Sequence, residues 1–484
     1  MSEPTSLTLG ELRDRLQSGE LTSAGVVSAY RESYRADAKG PQPLNGYVEW
    51  FEDALALAEA ADAARRRGGG AHGLLGLPLA VKDNILIKGR PLTCASEILK
   101  GFTAPYSATV IDRLVAAGMI PVGRTNMDEF AMGSSCEYSC YGPAHNPVDR
   151  SRTTGGSSGG SAAVVAGNQA PVALGSETGG SVRLPASFCG VYGLKPSYGS
   201  LSRYGLVAFG SSLDQIGIFG RCPRDLALLL SVAAGKDPND ETSADTDFSR
   251  LGVALAPRDL RGLRMAIPQE FLAEGLDPEV RRVLDSFVEW ARSSGAIVET
   301  ISLPILDASV AIYYIIAPAE ASSNLARYDG VRYGYREREI ANLFELYERT
   351  RSRGFGKEVK RRILLGNYVL SSGYYDAYYK KAQAVRTLLI KEVGEVLSRY
   401  DLILSPTAPT PAFTLGSKVD DPLAMYLSDI YTTFANLALL PSLSLPAGRT
   451  PGGLPVGVQI TGRRFAEELL LSCAERWHAE GATR

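Results

Sequence analysis

Two glycine-serine runs carry the same Gly-Gly-Ser triplet, 24 residues apart: Gly155-Gly156-Ser157-Ser158-Gly159-Gly160-Ser161 and Glu177-Thr178-Gly179-Gly180-Ser181. Between positions 155 and 210 the chain holds 13 glycines, 9 serines and only four charged residues, Glu177, Arg183, Lys195 and Arg203. A flexible linker is also rich in Gly and Ser. Here, however, those residues alternate with Val, Leu, Phe and Tyr, which a solvated linker would not carry. The composition therefore predicts buried backbone packed around hydroxyl groups. Buried hydroxyls need hydrogen-bond partners, and glycine lets backbone N–H groups come close to whatever lies beside them.

A chain of 484 residues can enclose a core large enough for such a segment. Its hydrophobic content of 45% and charged content of 21% fit a globular protein. A net charge of −2 gives no overall attraction to nucleic acid or to an anionic membrane. Six scattered cysteines do not suggest a disulfide framework. Cys136, Cys140 and His145 lie close in sequence, but a second ligand pair is missing, since the other histidines are His72 and His478; no metal is expected. The N-terminus lacks the basic and apolar regions of a signal peptide. The longest uncharged run, 153–176, is broken by Gly, Ser, Asn, Gln and Pro and does not read as a membrane span. A cytoplasmic location is expected.

Residues 6–68 read as helical, with Thr8 and Glu11 forming a capping-box pattern and a second helix starting near Thr22. From 74 the pattern alternates between strands and helices. Strands are expected at 77–82, 121–123, 265–268, 402–404 and 456–460, and helices at 107–117, 225–234, 278–294 and 356–399. No linker stands out. The expectation is an α/β fold built as one large domain: a central mixed β-sheet covered by helices on both faces. A helical segment at 1–70 packs on a main domain at 71–484.

The Gly/Ser segment admits three readings. A phosphate-binding loop fits the gap from Gly175 to Gly180, but Ser181-Val182 follows where that loop needs a lysine. Gly155-Gly156-Ser157-Ser158-Gly159 matches the nucleophile elbow G-x-S-x-G. Its lead-in is polar and contains a proline, however, and the only histidine downstream of it is His478. The third reading is a serine nucleophile served by a base other than histidine. Lys82, at the end of the apolar run 74–81, is the candidate, either as a strand-end surface residue or as a buried amine. Burial would favour its neutral form and let it accept a proton near neutral pH.

Lys82 and the two Gly/Ser runs resemble the amidase signature family. The resemblance implies a triad in which Ser181 is the nucleophile, Ser157 relays the proton across a cis peptide bond to Gly156, and Lys82 is the base. It also implies that Thr178, Gly179 and Gly180 offer backbone N–H groups to the oxyanion. Further segments, among them 125–135, 313–324, 373–379 and 425–430, resemble the branch of that family that serves tRNA-dependent amidotransferases. That likeness implies a glutamine pocket formed by Arg362, Asp429, Tyr313 and Ser134. Free glutamine carries an α-carboxylate and an α-ammonium, so one fixed cation and one fixed anion suit it. The likeness implies no cofactor in this chain. It implies a heterotrimer with the B and C subunits of the amidotransferase. ATP and magnesium would lie on the larger of these two partners, which handles the charged tRNA, and the smaller would complete the assembly. Cys136, Tyr138 and Leu184 depart from the residues commoner in that branch at those positions.

Overall fold

Short runs of small and branched apolar residues build the centre of the molecule. The structure is a computed structural model that describes residues 3–68, 73–273 and 275–481. Its strands are β1 (Tyr47–Trp50), β2 (Pro78–Lys82), β3 (Ile120–Thr125), β4 (Val172–Glu177), β5 (Tyr192–Lys195), β6 (Gln215–Gly220), β7 (Arg264–Pro268), β8 (Ile297–Ile301), β9 (Leu402–Pro406), β10 (Ser442–Arg449) and β11 (Pro455–Gly462). They form one mixed sheet in the order β1-β3-β2-β4-β6-β5-β10-β11-β9-β7-β8. Every residue of β2, β3, β4, β5, β6, β9 and β11 is buried. Helices cover both faces, so even the polar side chains of these strands, among them Arg124, Glu177 and Gln459, are buried.

The expected strands and helices are present, with two corrections. Residues 6–68 are not wholly helical. Tyr47-Val48-Glu49-Trp50 forms the edge strand β1 and pairs antiparallel with β3, Trp50 opposite Gly123. Its aromatic and branched residues suit a strand, but four residues are too few to show a period. Leu9, Leu12, Val26 and Tyr30 from the flanking helices enter the same hydrophobic core as Leu79 and Val81 of β2. The boundary expected at 70, and His72, lie outside the described residues. The second correction concerns 356–399. The chain forms helix Lys357–Leu370, a π-turn Tyr375–Lys380 and helix Lys381–Arg399. The break falls at Ser371-Ser372-Gly373, where Gly373 adopts φ +86°.

One apolar helical stretch, Pro304–Arg327, is long enough by composition to cross a membrane, but 61% of its apolar window is buried within the fold. Its helix Ser309–Asn324 packs against helix Lys357–Leu370. It is a core element, and a second hydrophobic cluster gathers around it.

Two features of this framework position a site. Parallel β2 and β4 are neighbours, Ala80 opposite Ala173, so their C-terminal ends bring Lys82 and Glu177 to the same edge. Such edges are where ligands bind in open α/β sheets. The loop after β4 carries the second Gly-Gly-Ser triplet and leads into helix Arg183–Cys189. The first triplet leads into helix Gly159–Ala166, which packs on β4.

Candidate active site

Lys82 has no solvent exposure. Its Nζ donates to Ser157 Oγ and to Ser158 Oγ, each at 2.8 Å, to Ser176 Oγ at 3.0 Å and to the Ser176 carbonyl at 3.2 Å. Burial lowers its pKa from 10.5 to about 7, against the pull of Asp128 and other nearby acidic groups. A lysine in this state is half neutral at neutral pH, and it is surrounded by hydroxyls that can exchange protons with it. Ser158 and Ser176 belong to the same network: Ser158 Oγ donates to the Ser176 carbonyl at 3.0 Å, and Asn84 Nδ2 donates to Ser176 Oγ at 2.9 Å.

The Gly156–Ser157 peptide is cis. The Ser158 N–H donates to the Ser181 carbonyl at 3.1 Å, tying the two Gly-Gly-Ser triplets together through their backbones. Lys82's hydrogen bonds end on Ser157, Ser158 and Ser176 rather than on Ser181. Ser157 is fully buried, whereas Ser181 keeps 8% of its surface open. A sealed amine is thus bonded to a sealed hydroxyl, and the slightly exposed Ser181 is tied to that serine's neighbour through the backbone.

Residues 178–181 are packed from both sides. A Cβ on Gly179 would lie 2.6 Å from the Tyr313 ring, and one on Gly180 would lie 2.4 Å from Thr432 Oγ1 and 2.7 Å from Asp429 Oδ1. Only glycine fits at either position. Thr178 Oγ1 donates to Asp214 at 2.6 Å, and Thr432 Oγ1 donates to the Gly179 carbonyl at 2.6 Å. The loop is closed at its base by Glu177 and Arg183, both fully buried and bonded to each other. The Glu177 carboxylate also accepts the N–H groups of Val182 at 2.9 Å and Arg183 at 3.1 Å. Burial raises the Glu177 carboxyl, but Arg183, Lys195 and the Val182 N–H together hold its pKa below the ordinary value. Arg183 further donates to Gln459 Oε1, Asn436 Oδ1 and the Thr432 carbonyl, at 2.6 to 2.8 Å.

Of the four remaining candidates, Asp429 and Tyr313 pack against this loop, Ser134 bonds to Asp429, and Arg362 acts on the Asp429 charge. Asp429 is buried and accepts Ser134 Oγ at 2.5 Å through Oδ2, while Oδ1 has no partner among the described residues. Burial pushes its carboxyl up to about 7, with Ser134 and Arg362 pulling the other way. Arg362, only 2% exposed, projects from helix Lys357–Leu370. Its Nε donates to Glu358 at 2.8 Å, and its guanidinium lies 5.2 to 5.7 Å from the ring centres of Tyr426, Tyr314 and Phe209. The basic run around it suggests a solvated helix face, yet this one side chain turns inward. Tyr313 is buried against Gly179. A buried arginine thus acts on a buried carboxyl that packs against Gly180, and one oxygen of that carboxyl has no partner among the described residues.

The sequence reading did not identify Glu177, Arg183, Ser158, Ser176 or Asp128 as parts of the site. Glu177 and Arg183 left a signal, as two opposite charges in a segment nearly free of charge. Their pairing depends on the turn between them, which no sequence period specifies. Of the three departures, Leu184 packs in a small apolar cluster with Phe188, Ala408 and Ala412. Cys136 and Tyr138 meet Asp128 through their backbone N–H groups, so their side chains are not what holds that contact.

Comparison with known proteins follows the same lines. The amidase family profile matches residues 29–471. The chain is 56% identical over 483 residues to the A subunit of the glutamyl-tRNA(Gln) amidotransferase of Treponema denticola, covering 99% of this chain and 100% of that one. Among solved structures, the A subunit of the glutamyl-tRNA(Gln) amidotransferase of Thermotoga maritima superimposes with a TM-score of 0.79 at 39% identity, covering 99% of this chain and 95% of that chain. The peptide amidase of Stenotrophomonas maltophilia gives 0.82 at 28% identity, covering 99% and 98%. With the serine-lysine network at the sheet edge and a profile match spanning most of its length, the chain belongs to the amidase family.

Proposed function

We propose that this chain is the glutamine-hydrolysing, ammonia-releasing subunit of a tRNA-dependent amidotransferase, acting on Glu-tRNA(Gln), Asp-tRNA(Asn) or both. The observation that carries the reading is the pair of buried opposite charges, Arg362 and Asp429, which act on each other, with Asp429 packed against Gly180 of the Ser181 loop. Arg362 takes the α-carboxylate of glutamine, and Asp429, steadied by Ser134, takes the α-ammonium through its unpartnered oxygen. The side-chain amide then points at Ser181, with Tyr313 walling the pocket. The names of the relatives support the same assignment.

The hydrogen bond from Lys82 to Ser157 supports the following steps. Ser181 Oγ attacks the amide carbon. Its proton passes to Ser157 Oγ as the Ser157 proton passes to neutral Lys82. Negative charge forming on the amide oxygen is met by backbone N–H groups of residues 178–181, each donor contributing about 3–4 kcal/mol in sites of this kind. The tetrahedral intermediate collapses and breaks the C–N bond. Nitrogen leaves as ammonia after taking the proton back through Ser157, and a γ-glutamyl ester remains on Ser181. Water, deprotonated along the same path, attacks the ester and releases glutamate. We assign ATP and magnesium to the larger partner, the B subunit, which activates the charged tRNA and receives the ammonia, and a stabilising role to the small C subunit.

Assay of the co-purified complex for glutaminase activity, with and without charged tRNA, tests this reading. Arg362→Ala is expected to raise KM for glutamine by roughly 10- to 100-fold, the loss of one charged hydrogen-bonding partner. Unchanged glutaminase kinetics in that variant would sink the glutamine assignment in favour of another amide.

A further inference from the structure

Asp128 is a fully buried carboxylate that the steps above do not use. It lies between β3 and the loop that carries Ser134. Its backbone N–H donates to the Ser157 carbonyl at 3.1 Å. Its carboxylate accepts the Cys136 N–H at 2.9 Å on Oδ2 and the Tyr138 N–H at 3.1 Å on Oδ1. Backbone presses on it from two directions. A Cβ on Gly156 would lie 2.0 Å from Oδ2, and one on Gly133 would lie 2.4 Å from Cγ. The carboxylate is therefore wedged between the residue before Ser157 and the residue before Ser134. Ser134 in turn holds Asp429.

Asp128 also acts on Lys82 without a hydrogen bond to it. After burial, it is the strongest influence on the lysine, and it favours the charged form. Lys82 also feels Cys136, Cys94 and Asp214; burial raises the Asp128 carboxyl to about 6, against the Cys136 and Tyr138 N–H groups, with Glu137 and Lys82 also acting on it. Burial holds both thiols in their neutral form, well above the ordinary range. Asp214 is engaged by Thr178 and by the N–H groups of Phe209 and Gly210.

We propose that Asp128 is a positioning residue that joins the two halves of the site: it fixes the relay serine through its backbone, fixes the Ser134 loop through its carboxylate, and supplies the buried negative charge that steadies Lys82 once that lysine has taken the proton. This rests on the glutaminase reading above. The role is electrostatic as well as geometric, since a cation forming in a sealed, low-dielectric site is stabilised by a fixed anion even without contact.

The test is Asp128→Asn in the assembled complex, with glutaminase kcat and KM followed across pH and the reaction driven by added ammonia measured alongside. Expected is a fall in kcat of roughly 10- to 100-fold, the range for outer partners of catalytic groups. The acid limb of the kcat profile moves to lower pH, because Lys82 loses the anion that favours its protonation, and the ammonia-driven reaction is retained. Gly133→Ala keeps the carboxylate but forces it to move; it is expected to lower kcat and raise KM for glutamine. A kcat within twofold of the parent with an unmoved acid limb in Asp128→Asn overturns the proposal. So does equal loss of the glutamine- and ammonia-driven reactions in Asp128→Asn with Gly133→Ala unaffected. A parent complex without glutaminase activity would instead overturn the functional reading on which the proposal rests.

Discussion

Two lysines lie buried at the ends of strands in the same sheet, Lys82 on β2 and Lys195 on β5. Neither is more than 1% exposed, and burial brings both from 10.5 to about 7. Their partners differ. Lys82 donates to three serine hydroxyls. Lys195 donates to the backbone carbonyls of Pro196, at 2.9 Å, and Leu440. A carbonyl accepts a hydrogen bond but has no proton to pass on, whereas a hydroxyl does both. Arg183 also acts on Lys195, lowering its pKa further, while no cation appears among the main influences on Lys82. A depressed pKa is thus common to a residue suited to proton transfer and to one suited to joining β5 to the turn before β10. What separates them is the chemistry of the atoms within hydrogen-bond reach.

The comparison can be sharpened first by cutting the hydroxyl chain at its open end. Ser181→Ala is expected to lower glutamine-dependent activity by at least roughly 10⁴-fold, as loss of a serine nucleophile does, and to spare transamidation driven by added ammonia. Loss of both reactions would assign this chain a structural role. Next come the lysines themselves. Lys82→Met should lower kcat by about 10²- to 10⁴-fold, the contribution of a general base. Lys195→Met should leave kcat of the folded protein within a few-fold and cost about 1–3 kcal/mol of stability, because two buried carbonyls lose their donor. Thermal or urea unfolding beside steady-state kinetics separates the two outcomes, and equal kcat losses would break the distinction. The smallest effect concerns pH. Only neutral Lys82 can take the proton, so kcat should rise as pH increases through about 7 and fall below it. That limb should stay in place in Lys195→Met, although Lys195 titrates in the same range.

The sequence showed five of the strands, as at 77–82 and 402–404, but not β4, β5, β6, β8 or β10, where glycine, serine or charged residues interrupt the apolar run. β1 escaped because four residues set no period, and the break near Gly373 escaped because the periodic residues resume beyond it. In the site, Ser157 and Ser181 stood out as a doubled motif and Lys82 as a charge ending an apolar run. Which serines surround Lys82 could not be read. Ser176 reaches it because β2 and β4 are parallel neighbours, and Ser158 because the helix it precedes packs on β4. Arg362 sits in a basic helix whose other cations face outward, and nothing local marks it as the one that turns in. The match to a known family pointed to it, and burial is the physical trait that sets it apart.

The loop at 178–181 has no slack. Tyr313 fills the space over Gly179, and Asp429 with Thr432 fills the space over Gly180. Under the proposed mechanism, a change of substrate therefore cannot begin at Gly179 or Gly180, since a side chain at either would displace Tyr313, Asp429 or Thr432 together with the backbone proposed to meet the oxyanion. On that reading it would begin at the proposed wall, at positions such as 313, 362 and 429, where a side chain can be exchanged while the loop backbone stays where it is. The site is constructed so that what is recognised can evolve separately from how the bond is broken.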